Sequence, residues 1–284
     1  MFGSFYFLYL CVQPEDTVMK RVKMVTLPGM ILVVIAILTL SWVPVNPESI
    51  ETKKDELVLS PNMVLEQQAS TIYEEAQLEK EGLAFEVFEK AYIGYLNLQE
   101  DKRNNAGPHI LSIADFNQSS KKKRLWIVDL KNPRLILNTW VSHGRGSGGE
   151  MATKFSNTNN SHQSSLGFYL TGEVYYGKHG RSLRLDGMDS GFNDNARQRA
   201  IVLHGASYVS QSAINSLNRL GLSHGCPAVP LELTDEIIDI IKNKTVLYIH
   251  ADSPSYQSVY LNSEKAGRKL IATTSLEEDL YSGI

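Results

Sequence analysis

Ala200-Ile201-Val202-Leu203-His204-Gly205 is an apolar run that ends on a histidine and a glycine, and Ser223-His224-Gly225-Cys226 follows it downstream. The first stretch reads as a buried strand whose last imidazole emerges where a glycine lets the chain turn into a cleft. The second ends on the one cysteine found after Cys11. A solitary thiol has no partner for an intrachain disulfide. Preceded by glycine and flanked by imidazoles, Cys226 reads as a nucleophile rather than a staple.

Working outward, the texture from Ile110 onward is short β-like runs separated by glycines and polar clusters. The clearest are Leu125–Leu130, Leu135–Ser142, Leu166–Thr171, Ser182–Leu185, Ile201–His204 and Val246–His250. One helix interrupts them, Thr234 to Lys242. Asp235 and Glu236 stand in its first turn, Lys242 and Lys244 at its end, and Ile237, Ile238 and Ile241 on its inner face. Strands at this spacing with few crossover helices predict a mainly β (α+β) fold, a largely antiparallel sandwich or barrel. Upstream, Leu65, Ala69, Ile72, Tyr73 and Ala76 share one helical face, and after Gly82 a second stripe runs through Phe85, Phe88, Ala91, Tyr92, Tyr95 and Leu96. These two N-terminal helices are expected to cap the core and carry no chemistry.

The resulting division is 1–18 an extension, 19–45 a membrane anchor or signal peptide, 46–62 a linker, 63–100 a helical segment, 101–252 the catalytic domain and 253–284 a tail without strong periodicity. Lys20, Arg21 and Lys23 precede the uncharged stretch Met24 to Val43, about the 20 residues that cross a bilayer. Basic residues on that side place everything after Pro44 outside the inner membrane. Anchor and cleaved signal both fit, Thr39-Leu40-Ser41 being a usable small-x-small site. Met19 is the expected start, and Leu8-Tyr9-Leu10 is a poor context for lipid attachment at Cys11. With 28 Lys and Arg against 31 Asp and Glu, net charge −3, no basic patch interleaves with aromatics. Lys121-Lys122-Lys123-Arg124 stands alone as a solvated turn, so no nucleic-acid partner is expected.

Amide cleavage by a thiol needs a thiolate, a base that passes its proton to the leaving amine, and donors for the oxyanion. Cys226 supplies the first. Gly225 permits a tight path that brings the Gly225 and Cys226 N–H groups toward one point, and Pro227 biases Cys226 toward extended backbone. His204 is favoured as the base and His224 as a polarising group; two histidines satisfied within a core is the alternative. A zinc site built from His143, His162, His204, His224 and Cys226 is the sharper rival, but no metal-ligand spacing is present, and neither metal nor cofactor is expected. Gly144-Arg145-Gly146-Ser147-Gly148-Gly149 matches a dinucleotide fingerprint in letters but lacks the helix that must follow, and a flexible loop is expected there.

These residues resemble the His…Ser/Thr-His-Gly-Cys signature of YkuD-type murein L,D-transpeptidases. The likeness extends from about Gly82 to Ala251 through Ser142-His143-Gly144-Arg145-Gly146-Ser147-Gly148, Phe155-Ser156-Asn157, Ser164-Ser165-Leu166-Gly167-Phe168-Tyr169, Asn193-Asp194-Asn195-Ala196, His204-Gly205-Ala206-Ser207-Tyr208-Val209-Ser210 and Gly225-Cys226-Pro227-Ala228-Val229-Pro230. The resemblance implies a peptidoglycan L,D-transpeptidase at the periplasmic or extracytoplasmic face of the cell envelope. Catalysis would fall to Cys226, His204, His224, Gly225 and Ser223. Tyr169, Ser164, His162, Arg145 and Tyr208 are the expected contacts to the stem peptide. Many family members carry Arg or Asn two residues after the cysteine, where this chain has Ala228, and Arg145, Arg184 or Arg197 is expected to supply the missing contacts. The alternatives are an L,D-carboxypeptidase or endopeptidase that trims stems, and a non-catalytic murein-binding module. A sortase-like enzyme is disfavoured because no Leu-x-Thr-Cys run precedes Cys226.

Overall fold

The computed structural model describes residues 60–99 and 108–282. The extension, the apolar stretch Met24–Val43 and most of the expected linker lie outside the described residues. Among the described residues no helix is long and apolar enough to cross a membrane.

Helix α1, Pro61–Glu75, starts at a good signal: the Ser60 hydroxyl accepts the Met63 N–H and proline takes the first turn. It buries Leu65, Ala69 and Ile72. After Gly82, whose φ of +74° suits glycine, α2 runs Phe85–Leu98 and buries Phe88, Ala91, Tyr92, Tyr95 and Leu98. A side chain at Gly94 would collide with the Phe168 ring. Glycine there brings α2 directly onto the sheet, offsetting its poor helix propensity.

Eight strands follow: β1 Ile110–Asp115, β2 Leu125–Asp129, β3 Arg134–Thr139, β4 Gly167–Gly177, β5 Gly180–Gly187, β6 Val202–Ala206, β7 Ala228–Pro230 and β8 Val246–His250. They form one sheet in the order β3-β2-β1-β8-β4-β5-β6-β7. β1–β8 and β6–β7 are parallel pairs, and the other adjacent pairs are antiparallel. The outcome differs from a two-sheet sandwich. Beyond β3, Ser142 bridges Ala228 of β7 and Gly144 bridges Ser223, so the two ends of one mixed sheet meet in a nearly closed barrel. Closure removes most of the exposed edge that an open sheet leaves.

Alternation places the core. Leu111, Ile113, Trp126, Val128, Phe168, Leu170, Val246 and Tyr248 face the N-terminal helices. Their neighbours Ala114, Leu125, Ile127, Tyr169, Leu183, Leu203, Leu247 and Ile249 face inward. The barrel interior is plugged by α4, Thr234–Ile241, through Ile237, Ile238 and Ile241. Between β6 and β7 lies α3, Gln211–Leu217, which buries no residue. Parallel neighbours need a crossover of about a dozen residues or more, and this physical requirement explains the long spacing between His204 and Cys226. The expected tail is instead a helix, α5, Ser263–Ser282. Gly267 lets it approach so closely that any side chain there would strike the Pro61 carbonyl.

Trp126 is fully buried and its indole N–H donates to the Glu81 carbonyl at 3.0 Å. Trp126→Ala should lower unfolding free energy by about 3–5 kcal/mol, read as a fall in the urea midpoint.

Candidate active site

Cys226 sits in a loop held from both sides. The Ser223 N–H donates to the His143 carbonyl at 3.0 Å, and the Arg145 N–H donates to the Ser223 carbonyl at 2.9 Å. The Ser223 hydroxyl donates to the Cys226 carbonyl at 2.6 Å and accepts the Gly225 N–H at 3.0 Å. The Ser164 hydroxyl donates to the Gly225 carbonyl at 3.1 Å and accepts the Gly144 N–H at 3.0 Å. Gly225 has φ +120°, and a Cβ there would lie 2.7 Å from the Gln163 carbonyl, so both conformation and space require glycine.

This bracing corrects one expectation. The Gly225 N–H is consumed by Ser223 and does not converge with that of Cys226. Ser223 thereby sets the loop's shape, with its short side chain closing a local hydrogen-bonded turn.

The Cys226 thiol is free and half-buried, and donates to the Ala200 carbonyl at 3.7 Å. Ala200 itself has φ +53°, a left-handed conformation unusual for alanine and of the kind that collects at functional sites. Burial pushes the Cys226 thiol above its ordinary range, opposed by the Val202 N–H, by the charges of Arg199 and Lys178, and by its own N–H.

His204 is 2% exposed. Its Nδ1 lies 3.0 Å from the Gly205 carbonyl. A carbonyl only accepts, so Nδ1 carries the proton and the neutral ring keeps Nε2 as a proton acceptor. Burial lowers the His204 pKa, the Gly205 bond raises it, and His179 and Lys178 lower it further. Gly205 also has a packing duty, since a side chain there would collide with the Thr234 hydroxyl at the start of α4.

Cys226, His204 and His224 line one cleft of about 430 Å³ together with His162, His179, Tyr208, Lys178 and Arg199. Among the described residues no aspartate or glutamate lines it. His224 is exposed, its ring edge-on to that of His162 with centroids 4.4 Å apart. Slight burial, then Arg145 and His162, hold the His224 pKa down. Tyr208 remains a phenol donor at neutral pH, its pKa pushed up to about 12 by burial and by Cys226.

The other expected contacts fall elsewhere. Tyr169 is fully buried, with its hydroxyl 2.8 Å from that of Ser165. Ser164 is buried beneath the loop as the brace described above. Neither lines the cleft, because alternation on β4 turns Tyr169 into the barrel. Arg145 is exposed outside the cleft lining and engages Ser223 through its backbone. Arg184 and Arg197 are taken up by Glu173, and Arg197 also by Asp186, so neither supplies the contacts expected in place of an Arg or Asn at position 228. Within the segment Gly144–Gly149, side chains at Gly144 and Gly146 would strike the His162 and Ser161 carbonyls, whereas Gly149 stands in open space.

Sequence reasoning passed over Lys178, His179 and Arg199. Arg199 donates to the Ser156 and Gln163 carbonyls at 2.7 and 2.6 Å and to the Ser165 hydroxyl at 3.1 Å. It sits on the segment ordered by Asn193, whose amide spans Asp189 and Phe168. The Asn193-Asp194-Asn195-Ala196 block was the available signal. Among the described residues no group of three or more His, Cys, Asp or Glu is disposed to hold a metal ion.

The family model described as the L,D-transpeptidase catalytic domain (YkuD_2) matches residues 79–250, and the chain belongs to that family. Among solved structures it is similar to an L,D-transpeptidase from Mycobacterium smegmatis, with 12% identity, TM-score 0.32, 52% of this chain and 61% of that one covered. It is also similar to an L,D-transpeptidase from Mycobacterium tuberculosis, with 13% identity, TM-score 0.31, 51% of this chain and 59% of that one. A third is the helical cell shape determining protein Pgp2 from Campylobacter jejuni, with 13% identity, TM-score 0.33, 62% of this chain and 59% of that one. The chain thus spans about three fifths of each of these structures. No curated protein matches it.

With the thiol pKa raised, Cys226 alkylation by iodoacetamide should be slow at pH 7 and rise with a midpoint above ~8.5. Arg199→Gln removes a nearby positive charge and should move that midpoint higher still, measured from the pH dependence of the alkylation rate.

Proposed function

We propose that this chain is a peptidoglycan L,D-transpeptidase that works by cysteine acyl transfer. The observation that carries the reading is one cleft lined by a free thiol and by a buried imidazole whose Nδ1 is tied to a carbonyl.

The directions of the two pKa shifts decide the resting state. Burial raises the thiol and lowers the imidazole, directions that favour a neutral thiol and a neutral imidazole over a preformed thiolate–imidazolium pair. In the proposed reaction the side chain of Cys226 leaves the Ala200 carbonyl, and Sγ attacks the carbonyl of the third stem residue, diaminopimelate. Its proton passes to Nε2 of His204. The S–C bond forms, the C–N bond to D-alanine breaks, and His204 returns the proton to the leaving amine. An acceptor amine then attacks the thioester, gives its proton to Nε2, and regenerates the thiol as the crosslink forms. Water in place of the amine makes the same site an L,D-carboxypeptidase. His224, exposed and paired with His162, suits a polarising role better than that of base. The lining, cationic through Lys178 and Arg199 and without a carboxylate among the described residues, favours a substrate rich in carboxylates.

Residues Met24–Val43 behind their basic flank support an extracytoplasmic placement by anchor or signal, where murein is met.

Incubation with disaccharide-tetrapeptide should release D-alanine and yield dimers by mass spectrometry, and Cys226→Ala should do neither while keeping its thermal melt. Release from the Cys226→Ala protein would overturn the assignment. For the active protein, kcat/KM should keep its plateau down to a pH below ~6.5, because His204 must be neutral and its pKa is lowered.

A further inference from the structure

The β4–β5 hairpin reaches farther than the sheet around it. β4 pairs with β8 only from Gly167 to Leu170, whereas its ladder with β5 continues to Gly177 opposite Gly180. The turn is the two residues Lys178 and His179. β5 in turn pairs with β6, Ser182 opposite His204, which brings the hairpin tip beside the imidazole. There the His179 and His204 rings stack, centroids 4.1 Å apart and planes 20° from parallel. His179 is itself exposed while His204 beneath it is not.

We propose that His179 is a positioning residue for His204, clamping the ring face so that Nε2 stays aimed into the cleft; the proposal rests on reading His204 as the base. The single hydrogen bond from Nδ1 to the Gly205 carbonyl fixes one ring atom and does not by itself set the tilt of the ring about that contact. A flat partner on its face removes the tilt, and an aromatic ring does so with little motion of its own. The described charged and titratable groups that line this cleft with His204 are Tyr175, Lys178 and His179 from the hairpin, Cys226 and His224 from the loop before β7, His162 from the loop before β4, Arg199 before β6 and Tyr208 after it. With no carboxylate among them, a second positive charge beside His204 is disfavoured, so the clamp also keeps the base neutral between turnovers.

The test uses the full chain with His179→Ala and His179→Phe, each checked by thermal melt. His204 is titrated by NMR at its Cε1–H, and kcat and KM are measured on disaccharide-tetrapeptide. His179→Ala admits water and removes a neighbour that opposes protonation, so the His204 midpoint should rise toward ~6.5. Its kcat should fall roughly ten- to a hundredfold with little change in KM. His179→Phe keeps a flat ring and should restore most of kcat. An unchanged midpoint and kcat in His179→Ala would overturn the proposal. So would a His179→Phe protein as slow as His179→Ala, which would mean that His179 moves a proton itself. Should the unaltered protein leave the tetrapeptide intact, the substrate assignment fails separately, and the His204 titration alone decides the clamp.

Discussion

The pairing of residues 142–145 with the loop before β7 is the constraint on which the site depends. Ser142 bridges Ala228 and Gly144 bridges Ser223, and those bridges join the two ends of the sheet. Because β7 is also the parallel neighbour of β6, the same closure puts the thiol two residues short of His204's partner strand position. Ring closure and the placing of Cys226 beside the His204 strand are one arrangement. The bracing hydroxyls of Ser223 and Ser164 then fix the loop's local shape.

A buried cation sits behind that seam. Arg124 is fully buried, donates to the Val141 carbonyl and to Nδ1 of His143 at 2.8 Å, and stacks over the Phe116 ring. Burial lowers its pKa to about 9 and that of His143 to about 4, the latter with Arg124 adding to the effect. His143 is therefore a neutral acceptor, and its carbonyl receives the Ser223 N–H. The buried charge is tolerable here because carbonyls and an imidazole accept from its directed donors and the Asp115 charge favours it.

Much of this was legible from residue types. Cys226 and His204 stood out because a lone thiol and a histidine ending an apolar strand have few other uses. Most inner strands and α4 announced themselves by period. What stayed hidden was hidden for physical reasons. α3 buries nothing, so it carries no stripe. α5 packs through Gly267 against backbone, which leaves little apolar signal. The Gly225 N–H was misassigned because a serine two residues earlier competes for it. His179 and Arg199 reach the cleft through the juxtaposition of segments distant in sequence, and no spacing along the chain encodes that.

The raised pKa of the Cys226 thiol also bears on chemical durability. Peroxides and disulfides react with thiolates far faster than with thiols. Cys226, half-buried, hydrogen-bonded to the Ala200 carbonyl and raised in pKa by burial, presents little thiolate. The same burial that raises the Cys226 pKa therefore slows oxidation of the thiol.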